Sequence, residues 1–411
     1  MNNFVRNTHK LNKHYIGRLY SQVVTPFEVK AEQGSCVNYD KLIEQFGSDP
    51  ISEEQIRRLE AITGKKPHHL LRRGVFFSQR NFSDILDAHE KRNSKVPPFY
   101  LYTGRGPSSQ SMHIGHLIPF IFTKWLQDTF DVPLVIQMTD DEKFLWKDLD
   151  QKTLRTMTVE NIKDVIAVGF DPKKTFIFNN FDYMGHMYRT VSRIQKSITT
   201  SQVMGCLGLT NSSNIGKIAF TASQAAPCFP SSFPHIFRDE KLNSKIKCLI
   251  PCAIDQDPFF RITRDISNKL GFQKPCLIHS KFFPSLQGNN SKMSASDGMS
   301  SIFLTDTDKQ VQSKINKSMS GGGATLEEHE KFGANLHADI PYQYMRFFME
   351  DNDELERIGR EYSSGRMRTM EVKKIAVELL LDIIKGHKQR REQITQQTID
   401  DFMNTSQDKW K

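Results

Sequence analysis

A glycine-rich segment and two closely spaced histidines could together bind a phosphate group. The segment Gly104-Arg105-Gly106 directly follows an apolar run, and His113 and His116 stand where a helix is predicted to begin. Glycines let a ligand approach the backbone closely. The first turn of a helix offers free N–H groups and the positive end of its dipole. Two imidazoles one turn apart can both donate to a phosphate, so this pattern predicts a nucleotide site.

A lysine in a polar loop far along the chain could complete that chemistry. The loop reads QGNNSKMSASDG and contains Lys292, Ser294 and Ser296. An ammonium group with small hydroxyl residues on a mobile loop suits closure over a pyrophosphate leaving group. Taken alone, such a loop is more often a solvated surface turn. The presence of the glycine and histidine segment favours the phosphate interpretation.

The elements that must position these residues alternate between strands and helices. The strand candidates are PFYLYT (98–103), PLVIQMT (133–139), TFIF (175–178), KCLIPC (247–252) and PCLIH (275–279). Helical patterns separate them. This alternation predicts an α/β fold with a Rossmann-like doubly wound parallel sheet, a C-terminal α-helical domain and a small N-terminal appendage. Ligands of such sheets bind beyond the carboxyl ends of the strands.

Four segments follow from the changes in pattern along the chain. Residues 1–22 are a basic tail, 23–97 a hairpin and helical segment, 98–320 the Rossmann-fold catalytic domain and 321–411 an α-helical domain. Ser52 and Gln55 form a capping-box pattern before a helix that we expect to end at Gly64. This organisation predicts that the catalytic chemistry lies in the third segment.

Charge and composition indicate where the protein acts. Lys and Arg number 56 against 47 Asp and Glu, a net charge of +9, which favours polyanionic partners. We find no apolar run long enough for a membrane helix and no cysteine set with zinc spacing, so we predict neither a membrane span nor a protein-bound metal site. The tail is basic, amphipathic and free of acids. It predicts mitochondrial import, with the cytoplasm as the alternative.

Longer motifs connect the chain to a known family. His113-Ile114-Gly115-His116 and the Lys292 loop, on a Rossmann-like sheet, resemble the class I aminoacyl-tRNA synthetases. The segments YLYTGRGPSS, FTKWLQD, QMTDDEKFLWKDL, CAIDQDPFFR and FFPSLQG resemble the eukaryotic-type tryptophanyl-tRNA synthetases. The resemblance covers roughly residues 22–405.

The resemblance implies a two-step reaction. Tryptophan attacks the α-phosphate of ATP to give tryptophanyl-adenylate, and tRNA(Trp) then takes the acyl group. It implies Mg²⁺ beside the phosphates and a homodimer. The residues it assigns to catalysis are His113, His116, Lys292, Ser294 and Ser296. Those it assigns to ATP are Gly104, Arg105, Gly106, His113, Gly115, His116, Lys292, Met293 and Ser294.

The resemblance also implies an amino-acid pocket and RNA contacts. Tyr102 and Gln137 should bond the indole N–H, and Glu142, Gln224 and Gln256 should hold the α-amino and carboxylate groups. An acceptor fixed on a strand end would be left unpaired by phenylalanine. The resemblance makes 321–411 an anticodon-binding domain, and the candidates for contact with tRNA are Arg72, Arg73, Lys373, Lys374, Arg390 and Arg391.

Three other functions compete with this interpretation. A tyrosine-specific synthetase would need an acid where Gln137 stands. A small-molecule nucleotidyltransferase also uses the His-x-Gly-His pattern, but needs neither the lysine loop nor a helical C-terminal domain. A catalytically silent RNA-binding derivative would not need His113, His116 and Lys292 intact.

Overall fold

The computed structural model describes residues 22–26, 29–31, 37–92, 97–239, 243–293, 298 and 300–405. The basic tail through Ser21 and the loop serines Ser294 and Ser296 lie outside the described residues. Within the described ranges, no helix is both long and apolar enough to cross a membrane.

The described strands provide one large sheet and two small ribbons. They are β1 (Val23–Val24), β2 (Val29–Lys30), β3 (Asp49–Pro50), β4 (Phe76–Arg80), β5 (Phe99–Arg105), β6 (Leu134–Met138), β7 (Thr175–Asn179), β8 (Lys247–Ala253), β9 (Cys276–Ser280), β10 (Pro284–Ser285) and β11 (Gly288–Lys292). The large sheet has seven strands in the order β3-β4-β9-β8-β5-β6-β7. Within the set β5 to β9, every pair of neighbouring strands is parallel. They match the predicted strands, and the Rossmann-like sheet is confirmed.

The parallel strands are apolar along most of their length because helices cover both faces of the sheet. Every residue of β6, β7 and β9 is buried. The chain proceeds from β5 outward to β6 and β7, then returns to the other side of β5 as β8 and β9. The direction therefore reverses between β5 and β8, and their carboxyl ends are where a ligand is expected.

Strands β3 and β4 extend the sheet in a way that the sequence did not predict. β4 pairs antiparallel with β9, and β3 pairs antiparallel with β4. The polar residues at the end of β4 interrupt the apolar pattern by which a buried strand is predicted. In the structure these polar groups have partners. Ser78 Oγ lies 2.8 Å from His279 Nδ1, and Arg80 forms an ion pair with Asp257 at 2.7 Å. The N-terminal segment thus shares the catalytic sheet, and the predicted domain boundaries stay a prediction.

The helix predicted from its capping signals is present among the described helices. The described α-helices are α1 (Tyr39–Phe46), α2 (Glu53–Thr63), α3 (His69–Arg72), α4 (Phe82–Glu90), α5 (Leu117–Phe130), α6 (Asp140–Trp146), α7 (Gln151–Ile166), α8 (Asn180–Ser197), α9 (Thr200–Leu207), α10 (Ile215–Ala225), α11 (Asp257–Leu270), α12 (Asp308–Lys317), α13 (Leu326–Phe332), α14 (Ile340–Phe348), α15 (Asn352–Ser363), α16 (Thr369–Glu392) and α17 (Gln396–Met403). The capping box of Ser52 with Gln55 is present, and Gly64 ends α2 with φ 63°. The prediction for this helix is confirmed.

The C-terminal helices pack against the segment that leads into the lysine loop. The ring of Phe283 stacks on Tyr344 with centroids 4.4 Å apart, and Tyr344 Oη donates to Pro284 O at 2.9 Å. Among the described residues after Lys292, the named elements are all helices. These contacts join the C-terminal helices to Phe283 and the start of β10.

Candidate active site

A cavity of about 340 Å³ opens at the carboxyl ends of β5 and β8. This is the edge of the sheet where the strand order reverses, as the fold requires for a ligand site. The predicted site residues that line it are Tyr102, Gly104, Arg105, Gly106, His113, Gly115, His116, Glu142, Gln224, Gln256, Lys292 and Met293. The histidine and lysine segments, far apart in sequence, therefore face one cavity.

Glycines create the space on one side of this cavity. A Cβ atom on Gly115 would lie 2.8 Å from Cδ1 of Phe283, whose ring is held in the aromatic packing described above. At Gly106 a Cβ atom would meet Lys143 Cε and would lie 2.9 Å from Glu142 Oε2. A larger residue at position 115 would therefore displace the packed Phe283 ring, whereas at position 106 the flexible end of Lys143 would have to move.

The phosphate side of the cavity combines neutral imidazoles with fixed cations. The rings of His113 and His116 stack with centroids 3.4 Å apart, and Arg105 Nη1 lies 2.8 Å from His116 Nε2. Burial, and then the charge of Arg105, lower the pKa of both histidines well below the ordinary value. At neutral pH both imidazoles are therefore uncharged, and Arg105 provides positive charge.

Several buried polar atoms on this side have no partner within the protein. Across the described ranges, Arg105 Nη2, His113 Nδ1 and Asp255 Oδ1 are buried without a hydrogen bond. Buried polar atoms are normally paired. Atoms left unpaired around a cavity indicate that a polar ligand supplies the missing bonds.

Lys292 reaches this side from β11. Its Nζ forms an ion pair of 2.6 Å with Asp255 Oδ2, and the Asp255 side chain is 4% exposed. A ligand phosphate could replace Asp255 as the partner of this lysine. Asp255 was missed in the sequence, although it lies just beyond β8 in CAIDQDP, where a strand-end rule would have found it.

The opposite side of the cavity is a closed hydrogen-bond network. Tyr102 Oη donates to Gln137 Oε1 at 2.5 Å, and Gln224 Nε2 donates to Tyr102 Oη at 2.8 Å. Gln137 is fully buried behind Tyr102 and is the one predicted tryptophan ligand outside the cavity lining, within the part of the chain that is described. Tyr102 therefore stands between Gln137 and any bound ring.

Glu142 and Gln256 face the region between the two sides. Glu142 accepts a hydrogen bond from Thr139 Oγ1 at 2.8 Å and forms an ion pair with Lys143 at 2.8 Å. Thr139 and Lys143 also line the cavity. The sequence reasoning missed both, although they sit in the QMTDDEK segment just beyond β6.

The carboxylates of the cavity do not form a metal site. The described ranges contain no group of three or more His, Cys, Asp or Glu side chains that could hold a metal ion. Asp255 and Glu142 are each paired with a lysine instead. The protein residues described here do not fit a resident metal.

The candidates for RNA contact divide into two groups. Arg73 donates to Asn352 and to two backbone carbonyls, Lys373 donates to Asn316 O and Ser318 O, and Arg391 pairs with Asp164 and Glu160. These three side chains are engaged in bonds within the protein and have a structural role. Arg72, Lys374 and Arg390 are exposed, although Arg390 Nε also donates to Ala167 O at 2.6 Å.

Comparison with known proteins is consistent with this geometry. The family model for class I tRNA synthetases (W and Y) matches residues 94–221 and 239–384. The chain is 56% identical over 384 residues to the cytoplasmic tryptophan--tRNA ligase of Homo sapiens, covering 92% of this chain and 80% of that protein. It is 54% identical over 386 residues to that of Dictyostelium discoideum, with coverage of 93% and 95%.

Solved structures give the same result. The tryptophanyl-tRNA synthetase of Plasmodium falciparum superposes with a TM-score of 0.83 at 45% identity, covering 90% of this chain and 96% of that one. A tryptophanyl-tRNA synthetase from Encephalitozoon cuniculi bound to tryptophan gives a TM-score of 0.82 at 39% identity, with coverage of 91% and 99%.

The comparisons correct one prediction. The relatives from Homo sapiens and Dictyostelium discoideum are named as cytoplasmic enzymes, so the prediction of mitochondrial import is wrong. The prediction rested on a basic, acid-free tail. Positive charge without acids is equally compatible with a segment that contacts a polyanion, and composition does not separate the two.

Proposed function

The chain belongs to the class I tRNA synthetases of the tryptophan and tyrosine family, and we propose that its cavity activates tryptophan for transfer to tRNA(Trp). The chain catalyses tryptophan--tRNA ligation with ATP as a substrate, and it acts in the cytoplasm. The observation that carries this conclusion is the 56% identity to a tryptophan--tRNA ligase over 92% of the chain.

For the first step, we assign the phosphates of ATP to the side of the cavity that carries unpaired polar atoms. Arg105 Nη2 and His113 Nδ1 are free to bond phosphate oxygens. Lys292 would leave Asp255 and stabilise charge on the departing pyrophosphate. Catalysis of this kind is positioning plus electrostatic stabilisation, and it needs no covalent enzyme intermediate. Ser294 and Ser296 remain candidates beside Lys292.

Mg²⁺, in this proposal, enters with ATP. It prefers octahedral oxygen ligands, keeps several waters and often binds through substrate phosphates. The carboxylates of the cavity are paired with lysines, which supports a metal held by the nucleotide and by water. No step assigned to the residues above depends on it.

The indole lies, in our proposal, against Tyr102. The hydroxyl proton of Tyr102 is donated to Gln137, so its oxygen can accept the indole N–H from the cavity. Glu142, Gln224 and Gln256 are assigned to the α-amino and carboxylate groups, since all three line the cavity. A site of this kind rejects phenylalanine because a buried acceptor would lose its partner.

The test is ATP–pyrophosphate exchange measured with each of the twenty amino acids. We expect exchange with tryptophan and none above background with the other nineteen. Exchange with tyrosine alone would identify the tyrosine enzyme. Exchange with no amino acid, but with another acceptor, would identify a nucleotidyltransferase, and no exchange at all would indicate a silent RNA-binding protein.

Contact with tRNA is assigned to the exposed cations Arg72, Lys374 and Arg390. Each phosphate neutralised by a cation releases counterions, so affinity falls as salt rises. We expect the Kd for tRNA(Trp) to rise at least tenfold between 50 and 200 mM salt. Binding that does not change over this range would remove these residues from the interface.

We also propose that the chain forms a homodimer through an exposed apolar patch. We assign to this surface four exposed apolar residues of α6, α8 and α10, namely Phe144, Phe181, Tyr188 and Ile215, which are 39%, 47%, 58% and 78% exposed. Phe144 and Phe181 are in edge contact with centroids 5.9 Å apart. Large exposed apolar patches mark interaction sites. Sedimentation velocity should show a dimer that Tyr188→Glu converts to a monomer; a monomeric unmodified chain would refute the assignment.

A further inference from the structure

A chain of hydrogen bonds runs from Tyr102 away from the cavity. Gln137, which accepts from Tyr102, donates through Nε2 to Asn180 Oδ1 at 2.8 Å. Asn180 donates through Nδ2 to Asp141 Oδ1 at 2.7 Å. Within the described part of the chain, neither Asn180 nor Asp141 lines the cavity. These two residues have no role in the site as described so far.

The fold places both residues beyond the ends of neighbouring parallel strands. Asp141 lies in the first turn of α6, shortly after β6, and Asn180 opens α8 directly after β7. Gln137 lies on β6 itself, and β6 pairs with both β5 and β7. The chain of bonds therefore crosses the carboxyl edge of the sheet, from strand end to strand end.

The donors and acceptors in this chain can point only one way. Asp141 Oδ1 also accepts the backbone N–H of Glu142 at 2.8 Å, and an oxygen of an ionised carboxylate can only accept. Asn180 must turn its amide nitrogen to it and its carbonyl oxygen to Gln137. Gln137 must then turn its nitrogen to Asn180, and its second N–H donates to Ser223 O at 3.1 Å.

The fixed direction reaches the cavity through Tyr102. With its nitrogen engaged twice, Gln137 presents its carbonyl oxygen to Tyr102, and the Tyr102 proton points away from the cavity. The Tyr102 oxygen then faces a ligand as an acceptor. If Gln137 turned over, its nitrogen would donate to the Tyr102 oxygen, which already accepts from Gln224 Nε2, and the Tyr102 proton would turn to Gln224 O at 3.2 Å. The Tyr102 oxygen would then have no lone pair left for an indole N–H.

We propose that Asp141 and Asn180 are positioning residues that set the direction of hydrogen bonding in the tryptophan site, so that it selects an aromatic ring carrying an N–H donor. This inference rests on the proposed function and deepens it. Asn180 acts through Gln137 and Tyr102 and touches no substrate. Its effect is on the choice between substrates and not on the phosphate chemistry.

The test compares tryptophan with L-3-benzothienylalanine, in which sulfur replaces the indole N–H. The measured quantity is the ratio of kcat/KM for the two in ATP–pyrophosphate exchange. In Asn180→Ser we expect this ratio to fall about tenfold, the worth of one buried hydrogen bond. A residue with a merely structural role would lower both values together and leave the ratio unchanged.

Asn179 provides a matched control. It is the neighbouring amide and makes the same type of bond, from its Nδ2 to Asp140 Oδ2 at 2.9 Å, but it is not connected to Gln137. Asn179→Ser should keep the ratio of the unmodified enzyme. An equal fall in this variant would overturn the proposal, since any disturbance of the α8 start would then relax selection.

Two substitutions of Asp141 test the other end of the chain, including the case that Asn180→Ser does not fold. Asp141→Asn keeps an oxygen to accept from Asn180 and should retain the ratio, whereas Asp141→Ala frees Asn180 and should lower it. An unchanged ratio in Asp141→Ala would overturn the proposal. Absence of tryptophan-dependent exchange in the unmodified chain would refute the proposed function instead.

Discussion

The two sides of the cavity treat polar atoms in opposite ways. On the phosphate side, Arg105 Nη2, His113 Nδ1 and Asp255 Oδ1 are buried and unpaired across the described residues. On the indole side, the Gln137 amide and the Tyr102 proton are bonded to protein groups, and the Tyr102 oxygen, which accepts from Gln224, keeps one lone pair for a ligand. The phosphate side therefore lacks hydrogen-bond partners that a ligand can supply, whereas the hydrogen-bond network of the indole side is already formed within the protein.

This difference matches what each side has to recognise. A triphosphate brings many acceptors and a large charge, so it can satisfy whatever donors it meets and displace Asp255 from Lys292. An indole brings one N–H. It can be distinguished from similar rings only by an acceptor whose position and direction are set beforehand. The phosphate side should therefore control the rate, and the indole side should control the selection between amino acids.

The largest expected effect belongs to Lys292. Lys292→Ala removes the cation that stabilises the departing pyrophosphate, and we expect kcat for tryptophan-dependent exchange to fall about 10³-fold. The preference for tryptophan over benzothienylalanine should stay unchanged, because the indole side is untouched. Exchange within tenfold of the unmodified enzyme would remove Lys292 from this role.

The next effect belongs to the indole side. Tyr102→Phe removes the hydroxyl and leaves Gln137 and Gln224 without one partner each, so kcat/KM for tryptophan should fall about 10²-fold. The KM for ATP at saturating tryptophan should change less than threefold. If the KM for ATP changed as much as kcat/KM for tryptophan, the two sides would not act separately.

The sequence predicted the phosphate side better than the indole side, for a physical reason. Glycines, paired histidines and a loop lysine indicate a phosphate site through their residue types and local spacing. The five parallel strands were also predictable, because a strand covered on both faces is apolar throughout. β4 was missed because Ser78 and Arg80 are polar; Ser78 is buried against His279, and the half-buried Arg80 pairs with Asp257 and two backbone carbonyls.

The parts that could not be predicted depend on contacts between distant residues. Asn180 and Asp141 carry no local signal, since an amide and an acid at the start of a helix are ordinary capping residues. Lys373 was a candidate for RNA contact because the resemblance places anticodon binding in the C-terminal helical domain, and a lysine on a helix is normally exposed. Only the packing of α16 against α12 reveals that it is 6% exposed and bonded to backbone carbonyls.

Lys373 and its neighbour Lys374 therefore allow a smaller, stability-based test outside the cavity. Lys373→Met leaves Asn316 O and Ser318 O without their donor at the end of α12, and should lower the free energy of unfolding by about 1–3 kcal/mol. Lys374→Met, at an exposed position, should change it by less than 0.5 kcal/mol. Equal values in urea unfolding would contradict a structural role for Lys373.

The smallest expected effect concerns the carboxyl that directs the indole side. Burial raises the pKa of Asp141 to about 7, and the charge of Asp140 adds to this, while the hydrogen bond from Asn180 opposes it. The unfolded chain ionises this group near its ordinary pKa, so folded stability is lost as pH rises from about 4 to about 7. Asp141→Asn removes this loss and keeps the acceptor oxygen. Allowing for partial solvent access, we expect the variant to gain on the order of 1–2 kcal/mol relative to the unmodified chain between pH 5 and pH 8.

Urea unfolding at the two pH values measures this gain, and the contributions of the other titrating groups largely cancel in the difference between the two proteins. A gain that is the same at both pH values would mean that Asp141 ionises as easily in the folded chain as in the unfolded chain. The indole side would then accept a buried charge as readily as the phosphate side does.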